Sequence, residues 1–246
     1  MKILKIIIIN LGAITISSFY TSCTKETPKV APTQSNLSNS ALVQVFSATV
    51  TASGNFIYVD GVPVSGTGGS VGYGGVFPGS AFAFEVNPGD RSFLIKDTLD
   101  TTHQAPLTFS QNLSAGKSYT IFTYDTITSP KEVTVLNNIE IPSDTTCRLR
   151  FANFIYSTST LPNVDVYSFR KGTTAPVFTN VAADSVTDFI PYAAGLTDTL
   201  YVYATGTTSP LIVKKLVPSL VQTRSYTSVS SGRLSGTKTI STFATY

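Results

Sequence analysis

The chain has 246 residues, only 13% of them charged, a formal net charge of +3, and an abundance of Thr, Ser, Tyr, Phe and Val, which favours strands over helices. Removal of Lys2 and Lys5 with an N-terminal leader leaves 15 basic against 14 acidic side chains, so no basic patch for nucleic acid is implied. The remaining length suffices for one large sandwich or two domains of about 100 residues each.

Residues 1–22 read as a secretory signal. Lys2 and Lys5 precede an apolar run over 6–16, broken only by Asn10 and Thr15, and Thr21 and Ser22 lead into Cys23. The run is shorter than the roughly 20 apolar residues that span a bilayer. The segment resembles a bacterial lipoprotein signal of the Bacteroidota type, with Tyr20 where the common motif has Leu. That resemblance implies cleavage before Cys23, acyl chains such as palmitate on Cys23, and a lipid-anchored protein of the cell envelope, at the outer membrane. With Cys23 so engaged, Cys147 has no intramolecular partner and reads as a small buried hydrophobe. Residues 24–40 are polar, contain two prolines and show no apolar period; with Cys23 they form a lipidated tether of roughly 20–25 Å reach.

From Ala41 onward short alternating strands are predicted over 42–46, 56–59, 81–86, 92–96 and 119–124. Asp60-Gly61, Asn87-Pro88-Gly89-Asp90 and Ser114-Ala115-Gly116 supply turns between them. In the third strand Phe82, Phe84 and Val86 share one face and Ala81, Ala83 and Glu85 the other, which predicts one core face and one solvent face. No amphipathic helix period persists beyond about a turn.

The second half repeats the first. The strand at 41–46 returns at 147–152, that at 56–60 at 164–167, and Lys117-Ser118-Tyr119-Thr120 as Arg224-Ser225-Tyr226-Thr227, each displaced by about 106 to 109 residues. The expectation is an all-β chain of two tandem antiparallel β-sandwiches, immunoglobulin-like or transthyretin-like, over 41–141 and 145–246, joined by a linker at 139–146.

Val164-Asp165-Val166-Tyr167, Pro176-Val177-Phe178, and Val186 through Gly195 resemble the bacterial domain of unknown function 4397 (DUF4397). The first copy carries Tyr58-Val59-Asp60-Gly61-Val62-Pro63-Val64 and Leu113-Ser114-Ala115-Gly116-Lys117-Ser118-Tyr119-Thr120, motifs that the second has partly lost. The resemblance implies a secreted or surface-anchored β-sandwich, often in tandem, with no assigned activity.

Chemical motifs are sparse. Gly68-Gly69-Ser70-Val71-Gly72 matches the G-x-S-x-G string of serine hydrolases and His103 follows it, but that chemistry needs a strand-to-helix elbow, and no helix is predicted here. His103 is the only imidazole, and Asp97 with Asp100 is only a pair, so neither zinc nor calcium is expected; no cofactor is expected. Tyr201 and Tyr203 could form a sugar platform or be ordinary half-buried sheet residues. Tyr73 and Phe77, flanked by glycines, are the candidate contact loop.

Six of the ten aspartates open the sequence Asp-Ser/Thr followed by an aliphatic residue or Thr, where exported proteins of the Bacteroidota are O-glycosylated. The candidate acceptors are Thr98, Thr101, Thr126, Thr145, Ser185 and Thr199. The competing reading is that Asp-Thr starts turns and strands, the carboxylate capping its own backbone. The function expected is a non-catalytic envelope binding or adhesion module, attached to the membrane by lipid and facing an envelope protein or glycan. A structural spacer or accessory subunit of an envelope assembly is the alternative.

Overall fold

The computed structural model describes residues 37–66, 69–79, 82–99, 102–172 and 174–246. The signal, Cys23, most of the tether, and Gly68, Ala81, Asp100 and Thr101 lie outside the described residues.

After a 3-10 turn at Leu37–Asn39, the first sandwich comprises β1 (Ala41–Ser47), β2 (Asn55–Val59), β3 (Val62–Pro63), β4 (Val76–Phe77), β5 (Phe84–Val86), β6 (Gly89–Asp97), β7 (Leu107–Leu113), β8 (Ser118–Thr126) and β9 (Ser129–Leu136). The second comprises β10 (Thr146–Tyr156), β11 (Val164–Ser168), β12 (Phe178–Val181), β13 (Ser185–Val186), β14 (Ile190–Ala193), β15 (Asp198–Ala204), β16 (Leu211–Val217), β17 (Ser225–Arg233) and β18 (Lys238–Ala244). The chain is all-β, with no α-helix among the described residues.

Each sandwich has an outer and an inner sheet. The outer sheets run β3-β2-β6-β7 and β12-β11-β15-β16; the inner ones run β4-β1-β8-β9 and β13-β10-β17-β18, with β5 and β14 also pairing β1 and β10. Pairing is antiparallel except for one parallel pair at the centre of each inner sheet, β1 with β8 and β10 with β17.

The turns follow the local chemistry. Asp60 and Gly61 both adopt positive φ (50° and 77°), the two-residue hairpin geometry between β2 and β3. Gly116, at φ 70°, reverses the chain into β8. Its counterpart in the second copy is Thr223, held at φ 62° although it carries a β-branched side chain. Both turns are pinned in the same way: the Ser114 amide donates to the Tyr119 hydroxyl at 3.0 Å, and the Val221 amide to the Tyr226 hydroxyl at 3.0 Å. The duplication read from the sequence thus extends to individual hydrogen bonds.

Three apolar layers lie between the four sheets. Val43, Val45 and Ile121 of the first inner sheet meet Ile57, Phe93 and Ile95 of its outer sheet. Leu149, Phe151 and Ile240 meet Val166, Leu200 and Val202 in the second sandwich. Between the sandwiches, the opposite face of β1 and β8 packs on the opposite face of β10, β17 and β18 through Phe46, Phe122, Ala152, Phe154, Val229 and Phe243. Phe46 stacks on Phe243 at 5.1 Å, and Phe154 sits 5.1 Å from Phe122 and 5.2 Å from Tyr124, ring centre to ring centre. The two sandwiches are therefore fused face to face, and the central strands are buried on both sides.

The core face and solvent face expected of the strand at 81–86 are not what the structure has: β5 spans only Phe84–Val86, and Phe84 and Glu85 are both half-buried beside a buried Val86. Phe82, expected on the core face, lies before the strand and is 39% exposed, turned toward Tyr246 (6.1 Å) with the Arg224 guanidinium over its ring at 4.7 Å.

A candidate functional site at the seam between the sandwiches

The face-to-face packing is not apolar throughout. Toward the linker, Phe46 and Phe122 give way to Gln44, Thr120, Arg150 and Thr227, all buried. Gln44 Nε2 donates to the Ala244 carbonyl of the other sandwich at 3.0 Å. Arg150 is 1% exposed and holds both domains, its Nε donating to Thr227 Oγ1 (2.9 Å) and its Nη2 to Thr120 Oγ1 (3.0 Å). Thr120 Oγ1 donates onward to Asn137 Oδ1 at 3.1 Å, and Asn137 Nδ2 to Ser118 Oγ at 3.0 Å. This chain ties the buried guanidinium to Asn137, just before the linker.

Arg150 lacks an acidic partner. The ion pairs among the described residues are Arg91–Asp60 and Lys131–Asp125, both at 2.8 Å and remote from it. In place of a carboxylate, the Phe189 ring lies 4.7 Å and the Phe122 ring 5.8 Å from the guanidinium carbon. Quadrupole attraction of this kind offsets part of the cost of burying a cation. Burial pushes the Arg150 pKa down to about 9, so the group is still a cation at neutral pH.

Two concavities flank the linker and share Asn138 and Glu140. One, of about 310 Å³, is walled by Val135, Val186, Thr187 and Phe189 together with the charged Arg148, Arg150, Glu140 and Asp188. The other, of about 650 Å³, is lined by Phe82, Lys117, Ile139, Ile141 and Tyr246. Ile141 is 60% and Tyr246 43% exposed, so its apolar lining faces water.

The residues singled out in the sequence are scattered across the fold. Tyr73 reaches the other sandwich, its hydroxyl accepting from Ser231 Oγ at 3.1 Å. It approaches over Gly232, where a Cβ would stand 3.0 Å from the Tyr73 hydroxyl and 2.3 Å from the Thr237 carbonyl oxygen. Phe77 lies in β4, half-buried against Phe84 at 5.4 Å. The partners of both rings are thus in the same chain, and the expected contact loop is an internal clasp.

Ser70 and His103 are exposed, with no hydrogen bond between them, and among the described residues no three His, Cys, Asp or Glu side chains cluster as a metal site would. Cys147 is buried, donates to the Tyr192 carbonyl at 3.4 Å, and has its pKa pushed up to about 11 by burial. Tyr201 and Tyr203 are half-buried on the outer face of the second sandwich, Tyr203 edge-on to Tyr167 at 5.7 Å.

Of the candidate acceptors, Thr145 is exposed, Thr98, Thr126, Ser185 and Thr199 are half-buried, and Thr101 lies outside the described residues. Four of the aspartates before them accept hydrogen bonds from nearby amides. Asp97 Oδ1 accepts from the Leu99 amide, Asp125 Oδ1 from Thr126, Asp144 Oδ1 from Thr146 and Asp198 Oδ1 from Thr199, at 2.6 to 2.8 Å. Asp198 is also buried, accepting from Ser168 Oγ, the Tyr192 hydroxyl and the Arg170 amide. Burial raises its pKa, and these hydrogen bonds outweigh that and hold the carboxyl below its ordinary value. These bonds are of the kind the turn-capping reading expects.

A scan against protein-family models finds no match for this chain, and no curated protein matches it. Its local geometry carries the functional argument.

Proposed function

We propose that the chain is a lipid-anchored envelope protein, held through Cys23, that acts as a non-catalytic binding module and engages its partner at the seam beside the linker. The observation that carries the reading is the combination, at one seam, of an exposed apolar concavity at Phe82, Ile141 and Tyr246 with a buried Arg150 that is hydrogen-bonded to threonines of both sandwiches. A ligand lodged there would touch both sandwiches and the linker at once, and concave sites of this kind at domain junctions are common places for binding. The resemblance to DUF4397 and the lipoprotein-type leader support the location. The spacer reading is favoured by one observation of its own, the buried aromatic layer that makes the two sandwiches a single stiff unit.

Capture from native envelope separates the two readings. Wild-type protein retains a partner that Ile141→Glu loses, whereas a spacer that binds nothing at this seam gives the same result for both. The anchor is tested by fractionation: wild type partitions with membranes and Cys23→Ala does not, and identical partitioning would remove Cys23 from the account. O-glycosylation at Thr98, Thr101, Thr126, Thr145, Ser185 and Thr199 remains part of the proposal and is decided by intact mass, which must exceed polypeptide plus lipid.

A further inference from the structure

Resting on the seam as the binding site, we infer that the smaller cavity recognises a carboxylate through Arg150. A guanidinium has five N–H donors. Two are used, on Thr227 and Thr120, which leaves both hydrogens of Nη1 and one of Nη2 without a described acceptor. Arg150 is nevertheless 1% exposed and forms part of the wall of a cavity of about 310 Å³. Its rings and threonines fix the guanidinium plane from both sandwiches, so the fork is preorganised and little side-chain entropy is lost on binding. A planar fork with parallel free N–H groups suits a carboxylate, which accepts two of them at once.

The rest of the cavity narrows the class. Arg148, whose Nη1 donates to Thr146 Oγ1 at 2.8 Å, adds a second cation beside Arg150. Glu140 and Asp188 are exposed in the wall of the same cavity and disfavour a doubly charged anion such as phosphate. Val135, Val186 and Phe189 supply apolar sides for the ligand's remaining atoms. The ligand is a small organic carboxylate or the C-terminus of a peptide.

The test is titration of the full mature chain at constant ionic strength, following the Arg150 Nε–Hε resonance and the unfolding midpoint. The probes are acetate for a small acid, glycylglycine for a peptide terminus, glycylglycine amide as its neutralised control, inorganic phosphate and chloride. Acetate, glycylglycine or both move the resonance saturably and raise the midpoint, and the tighter of the two identifies the source; the amide and chloride do neither. Arg150→Met, nearly matched in length, abolishes the midpoint response, and the wild-type resonance provides a readout that does not depend on that variant folding. A resonance unmoved by either carboxylate, or moved equally by chloride or more tightly by phosphate, overturns the inference. Envelope capture by wild type together with silent carboxylate titrations would defeat the carboxylate alone. Saturable acetate binding without any envelope partner would instead defeat the module.

Discussion

Phe154→Ala probes the layer that fuses the two sandwiches. Phe154 is 1% exposed and belongs to neither sandwich's own core; its neighbours are Phe122 and Tyr124 of the other domain. Truncating a buried Phe costs about 3–5 kcal/mol from lost transfer free energy and the cavity left behind. The two ring contacts, each worth about 0.5–1.5 kcal/mol beyond area, place this site in the upper half of that range. For a body of this size each kcal/mol moves the midpoint by about 2–4 °C, so a drop of roughly 8–20 °C is expected. Calorimetry should show wild type melting in one transition, because losing one sandwich exposes the aromatic face of the other. In the variant the transition should broaden or split as the two halves uncouple. Two separate wild-type transitions, or a variant within about 2 °C of wild type, would refute the fusion.

Further outcomes follow from individual residues. Cys147 should resist thiol reagents in the native protein and react only on unfolding, since it is buried and its pKa is pushed up to about 11; labelling at the rate of a free thiol would contradict its placement. Asp198 has a folded pKa below its unfolded one, so its stabilisation is complete above about pH 4 and is lost as pH falls through the folded value. Asp198→Asn should therefore cost stability at pH 7 by urea unfolding and progressively less as the pH falls through the folded value, and a cost that does not change with pH would show that its charge is irrelevant. Thr223→Gly should stabilise by about 1 kcal/mol, because it relieves the left-handed conformation at φ 62°, and a loss of stability would mean that the threonine side chain is needed.

The strands at 42–46, 56–59, 92–96 and 119–124 and the turns between them were legible because their local chemistry is unambiguous, whereas β7 and β9 were not read and the strand at 81–86 is confined to Phe84–Val86. Asp60-Gly61 and Gly116 stand at positive φ where the sequence put turns, and the Tyr119 and Tyr226 corners repeat with the duplicated motif. The fusion was not legible. Strands buried on both faces usually read as continuous apolar runs, but here the outward positions of β1, β8, β10 and β17 include Gln44, Thr120, Arg150 and Thr227, of which Gln44 donates across the seam to Ala244 and Arg150 to Thr120. To a sequence reader they pass for solvent-facing alternation. The available signal was Phe46, Phe122, Phe154 and Phe243, large rings at positions that alternation would expose. The seam cavity was missed for the same reason, since a lone Arg150 in a strand looks like surface until its burial is known.

Hydrogen exchange of the anchored protein in native envelope, compared with the purified chain, tests the binding seam most directly. The account predicts added protection concentrated at residues 135–141, 186–189 and 244–246, around the two concavities. Unchanged exchange there, or protection confined to the outer face carrying Tyr167, Tyr201 and Tyr203, would contradict it.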